Sequence, residues 1–183
     1  MPRLAPLDLA NLTPEQKEVA DAIMAGPRGG LRGPFEAWLR SPVLADRGQR
    51  LGEFCRFHTS LPKHLSELAI ILTGKHWKAQ FEFYAHARLA VEAGLPRETV
   101  EAVRTGATPA FRDEAERVVY TFVTEYFATN RVSDATYRQA LAVLGGERGV
   151  VDLIGVVGYY GLVSMTLNVF DVGLPEGEPL PLA

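Results

Sequence analysis

Apolar positions recur along this chain at intervals of three and four residues, punctuated by glycine, proline and cap residues at helix-length spacing. Thr13-Pro14-Glu15-Gln16 combines an N-cap, a proline at the first helical position and a capping-box glutamine, which predicts a helix to about Gly26. Residues 27–33 (PRGGLRG) are too rich in glycine and proline to continue it and form a loop. A second helical pattern follows Pro42 and runs through Phe57, where Ser60-Leu61-Pro62 stops and restarts the chain, with Ser60 as the expected cap. After Pro62, Leu65, Leu68, Ala69 and Leu72 form one apolar stripe. Further helices are predicted over 78–93 with Gly94 closing them, from Pro96 to Gly106, over 113–129, from the Ser133 cap, and from Glu147 through Phe170. No stretch shows strand alternation bounded by turns, so the expected fold class is all-α.

Composition changes this picture little. The 183 residues are 47% hydrophobic and 22% charged, which fits one packed domain and excludes disordered and fibrous classes. The expected organisation is an N-terminal helix and loop over 1–39, a helical domain over 40–172 and a proline-rich tail over 173–183. That tail is expected to lie extended over a neighbouring subunit. With 19 basic against 22 acidic residues there is no broad positive field, so neither nucleic acid nor an anionic membrane is an expected partner. The N-terminus does not read as a signal or transit peptide, which points to the cytoplasm, and the apolar run 153–167 is shorter than the ~20 residues a bilayer requires. The glycines at 155, 158 and 161 predict a close helix contact or a subunit interface on the last helix. The lone Cys55 excludes intramolecular disulfides and reads as a buried small hydrophobe.

Candidate chemistry lies on two consecutive helices. Glu67 projects between Ile70 and Ile71 on the helical wheel, where a carboxylate is costly unless satisfied; pairing with Lys63 one turn back is the structural alternative. Glu82 and His86 share the next helix face, bordered by Ala79, Leu89 and Ala90. They read either as a surface pair or as a general acid/base pair. No HExxH or paired ExxH pattern suggests a metal.

The segment from Glu67 to Leu95 resembles the core of the carboxymuconolactone decarboxylase family, which includes the alkylhydroperoxidase D-like proteins. Its peroxidase branch carries a glutamate, eleven intervening residues, a cysteine, two more residues, a second cysteine, three more residues and a histidine. Here Glu67 and His86 match, while Ala79 and Glu82 occupy the cysteine positions. Gly158-Tyr159-Tyr160, Leu167-Asn168 and Val132 to Tyr137 also look like segments of the non-redox members, which extends the resemblance over about 40–172.

That resemblance implies an oligomeric helical bundle, a homotrimer or homohexamer, and a cofactor-independent lyase acting on a small carboxylated lactone or unsaturated acid. His86 would deliver a proton to carbon, Glu82 would orient and charge the imidazole, and Glu67 would position substrate or water. Lys75 or His76 would hold the anionic substrate, with Tyr159 and Tyr160 as hydroxyl donors if they line a pocket. The alternatives are an alkylhydroperoxidase-like antioxidant, which would have to work through Cys55, and a non-catalytic ligand-binding oligomer.

Overall fold

The structure, a computed structural model, describes residues 2–182. Among them there is no strand, and the helices are α1 (Pro14–Ala25), α2 (Phe35–Trp38), α3 (Pro42–Glu53), a π-helical turn (Phe54–His58), α4 (Lys63–His76), α5 (Gln80–Glu92), α6 (Arg97–Thr105), α7 (Glu114–Thr129), α8 (Asp134–Val143) and α9 (Glu147–Val169). Local signals act as expected at several ends. Thr13 and Gln16 form a reciprocal capping box, Ser133 accepts from the Thr136 N–H, and Gly94 and Gly106 leave their helices with φ of 97° and 82°.

Helix α4 is the centre. Ten consecutive residues, Leu65 to Gly74, are buried, so it packs on every side, with α5, α7 and α9 as its main neighbours. The apolar core runs without a break from Val19 and Ile23 of α1, through Phe35, Trp38 and Leu39, to Leu182. Residues outside 40–172 therefore complete the core. The single-turn α2, which the periodicity did not predict, delivers Phe35 and Trp38 to it, and the Trp38 indole N–H donates to Thr166 Oγ1 at 2.9 Å.

Four expectations change. Ser60 does not cap α4; its N–H and hydroxyl both donate at 2.7 Å to the buried Asp152 of α9, tying the loop before α4 to the last helix. The helix predicted from residue 78 starts at Gln80, because Lys78 takes a left-handed turn at φ 52°. The tail folds back on its own chain: Leu182 is buried, its N–H and carbonyl are held by the Gln80 side chain at 2.9 Å each, and Arg104 Nη1 donates to Pro181 O. The three glycines of α9 do not share one intrachain contact: Gly155 faces the Cys55 thiol and Gly161 the Trp77 indole, while among the described residues nothing packs on the exposed Gly158. Val151, Ile154, Met165 and Val169 leave an exposed apolar stripe along α9. This 23-residue helix is long and apolar enough to cross a membrane, yet two thirds of its most apolar window is buried inside the chain, as befits a core helix.

Candidate active site

The α4–α5 contact brings Glu67, Glu82 and His86 together. Glu67 is fully buried; its Oε2 lies 2.7 Å from His86 Nδ1 and its Oε1 pairs with Lys63 Nζ at 2.8 Å. One carboxylate oxygen thus serves each partner, the Lys63 pairing being present although Glu67 is buried rather than at the rim. On the other side of the imidazole, Nε2 stands 3.2 Å from Glu82 Oε1, and that oxygen has no aligned hydrogen-bond partner. The imidazole is clamped edge to edge between two carboxylates, and Tyr160 packs against it with ring centroids 4.9 Å apart.

The two carboxyls are shifted in opposite directions. Burial pushes Glu67 toward its neutral form, but the hydrogen bond and charge of His86, with Lys63, outweigh it and leave the group lowered and ionised. Glu82 is raised: burial dominates, the Glu67 charge adds to it, and the attractions of His86, Arg56 and Arg28 do not compensate. A stability signature follows from the sign of that shift. An acid whose folded pKa is raised contributes stability fully present below its unfolded value, near 4.5, and lost as pH rises through the folded value. Glu82→Gln is therefore expected to gain melting temperature over the parent at pH 7–8 but not at pH 4, each 1 kcal/mol being worth about 2–4 °C; thermal melts across pH check this, and an equal offset at all pH values would contradict it.

A cavity of about 950 Å³ opens onto this cluster. Glu82, His86, Tyr159 and Tyr160 line it, together with Arg28 of the 27–33 loop and Arg56 of the π-helical turn. Glu67 does not reach it. Three buried polar atoms in its wall, Glu82 Oε1, the Tyr160 hydroxyl and Arg28 Nε, have no hydrogen-bond partner. Buried polar groups are normally satisfied, so three such atoms in one wall single this cavity out as the candidate site. Burial raises both tyrosines, Tyr159 to about 12 and Tyr160 well above the usual value, so each presents a neutral hydroxyl.

Lys75 and His76, the cations expected to hold substrate, are placed elsewhere. Both line a separate cleft of about 320 Å³, Lys75 donating to Arg104 O at 2.7 Å and His76 stacking on Phe127 at 3.9 Å. Two turns along α4 from Glu67 amount to ~12 Å of axial displacement, so sharing the helix does not mean sharing the site. The cations that do line the cavity, Arg28, Arg32, Arg56 and Arg88, were not singled out from the sequence; of these, Arg28 and Arg56 act on Glu82. For Arg28 the available signal was its place between Pro27 and Gly29 in the 27–33 loop; for Arg56, the π-helical turn shifts register in a way a 3.6-residue period does not reveal.

Cys55 is fully buried on that turn, and burial and Asp152 hold its thiol up at about 11. A separate grouping of His64, Asp113 and Glu116 has ligand-type atoms within 4.8 Å. Its carboxylates are committed to structure, since Glu116 accepts from Arg112 and Asp113 caps α7.

No family model and no curated protein matches the chain. Among solved structures it is similar to an alkylhydroperoxidase AhpD core, an uncharacterized peroxidase-related protein from Ralstonia eutropha JMP134, with a TM-score of 0.77 at 12% identity over 96% of this chain and 93% of that one. The all-α bundle is thus of the alkylhydroperoxidase D-like fold, and the match spans more of the chain than the sequence resemblance over 40–172.

Proposed function

We propose that this protein is a cofactor-independent lyase that protonates carbon, acting on a small carboxylated lactone or unsaturated acid as carboxymuconolactone decarboxylase does. The observation that carries this reading is the wall of the cavity, where a buried Glu82, pushed by burial toward its acid form, lies beside His86 and the unpartnered Tyr160 hydroxyl. Relative to the roles implied by resemblance, the glutamates exchange. Glu67, out of reach of the cavity, is the positioning residue that fixes His86 through Nδ1; Glu82 shares the transferable proton on the Nε2 side. As the bond to the departing carboxylate breaks and CO2 leaves, its electron pair moves into the conjugated carbonyl, whose oxygen takes a hydrogen bond from Tyr160. The carbon then accepts a proton from the His86–Glu82 pair, and the pair recovers one from water.

Purified protein incubated in D2O with a panel of carboxylated lactones and unsaturated acids is expected to release CO2 and place one deuterium on a carbon conjugated with the acceptor carbonyl. That carbon is either the one that bore the carboxylate or, with a shift of the double bond, the one next to the carbonyl. Thiol-dependent hydroperoxide reduction is the competing outcome, and it would run through Cys55. Its buried, largely protonated thiol and the absence of a second cysteine disfavour it. Cys55→Ala is accordingly expected to leave turnover within about twofold of the parent; hydroperoxide consumption abolished by that change, with no CO2 from any acid, would replace the lyase reading. An assembly of three or six copies would cover the apolar stripe of α9, which light scattering on the parent and on Ile154→Glu would test.

A further inference from the structure

Four guanidiniums line the cavity, those of Arg28, Arg32, Arg56 and Arg88. Arg88 pairs with Glu92, while among the described residues Arg28, Arg32 and Arg56 hold no carboxylate, and of these Arg28 and Arg56 are the two whose charge acts on Glu82. Arg28 lies 5.2 Å over the Phe35 ring, with Nη2 at 3.5 Å from the Tyr159 hydroxyl and Nε buried without a partner. Arg56 lies 5.2 Å over Phe57, and its charge acts on Glu82, Tyr159 and Tyr160. A guanidinium carries five N–H donors, and a forked pair of them matches the two oxygens of a carboxylate. Leu31, Phe35, Phe81, Leu89 and Val163 supply apolar wall for a carbon skeleton, which inorganic phosphate does not have.

Building on the lyase reading, we propose that Arg28 and Arg56 form the subsite for a substrate carboxylate that is not the one lost, and that filling this subsite loads a proton onto Glu82. The coupling follows from what faces Glu82: His86 on its own helix, Glu67 from α4, Arg56 from the π-helical turn, Arg28 from the 27–33 loop, and the neutral hydroxyls of Tyr159 and Tyr160 from α9. Only His86 and the two arginines favour the ionised carboxylate. A bound carboxylate cancels the arginines' share and brings a negative charge of its own, so the balance at Glu82 moves toward the acid and a proton enters from solvent. The general acid is then complete only when the anion is seated.

The probe is benzoate, titrated calorimetrically between pH 5 and 9 in buffers of different ionisation enthalpy, with benzamide and inorganic phosphate for comparison. Binding is expected to weaken at least about tenfold in Arg28→Gln and in Arg56→Gln, less in the lysine variants, and not at all in Lys75→Gln. Proton uptake should rise to as much as about one per benzoate at some pH in the range and vanish in Glu82→Gln while binding persists. In the unmutated protein the ¹⁵Nε–¹H signals of two arginines should move on adding benzoate, a readout independent of how the variants fold. Benzoate binding indifferent to both arginines, phosphate binding tighter than benzoate, or proton uptake that survives in Glu82→Gln would overturn the proposal. Arginine-dependent binding in a protein that releases no CO2 would keep the subsite and remove the lyase reading; CO2 release insensitive to both arginines would do the reverse.

Discussion

His86→Ala is expected to lower turnover by about 10²–10⁴-fold, the usual worth of a positioned acid/base group, and to destabilise the fold as well. The second effect comes from Glu67. That carboxylate is fully buried, and its two partners are His86 at 2.7 Å and the half-exposed Lys63 at 2.8 Å. Removing the imidazole leaves one carboxylate oxygen in the core with nothing to accept from, a loss of about 1.5–3 kcal/mol for a hydrogen bond to a charged group. His86→Gln separates the two consequences: an amide N–H can still serve Glu67, but an amide carries no transferable proton. Chemical denaturation should place His86→Gln nearer the parent than His86→Ala, while both lose turnover. Parent-like turnover in His86→Gln would remove the imidazole from the chemistry, whatever the stabilities show.

The parts of this site visible in the sequence are those that one helix settles by itself. Glu82 and His86 are four apart on α5, so their shared face follows from the helical period, and the burial of Glu67 follows from its isoleucine neighbours. Which carboxylate takes which ring nitrogen depends on how α4 and α5 cross, and no periodicity encodes a crossing. For the same reason the roles proposed for the two glutamates from the structure differ from those the resemblance implies. Lys75 and His76 illustrate the converse error, in which proximity along one helix stands in for proximity in space. Arg28 and Arg56 come from a loop and a π-helical turn, where chain direction is set by contacts made far away: Arg28 by Phe35 and Tyr159, and the turn by packing of Cys55 against α9.

Gly52→Ala tests whether those distant contacts shape the cavity. Gly52 is in α3, outside the cavity wall, and nothing in its sequence context distinguishes it from Gly48 one turn earlier. A Cβ built on it would overlap the Tyr159 hydroxyl and ring and the Arg28 Nη2. The Tyr159 ring cannot simply swing aside, since it is buried edge-on against Trp38 at 6.1 Å and Tyr160 at 5.2 Å. One added methyl therefore moves Tyr159, Arg28 or both, at an overpacking cost of about 1–3 kcal/mol. The expected result is a folded protein with a melting temperature lower by several degrees and with carboxylate binding weakened about as much as in Arg28→Gln. Gly48→Ala is the matched comparison, because its Cβ would approach only the Trp38 ring, at 3.0 Å, and no cavity residue. Equal losses of carboxylate binding in the two alanine variants would mean that α3 supports the cavity through general packing. A loss confined to Gly52→Ala would show that the missing side chain at this position is what lets Arg28 and Tyr159 stand where the anion is to be met.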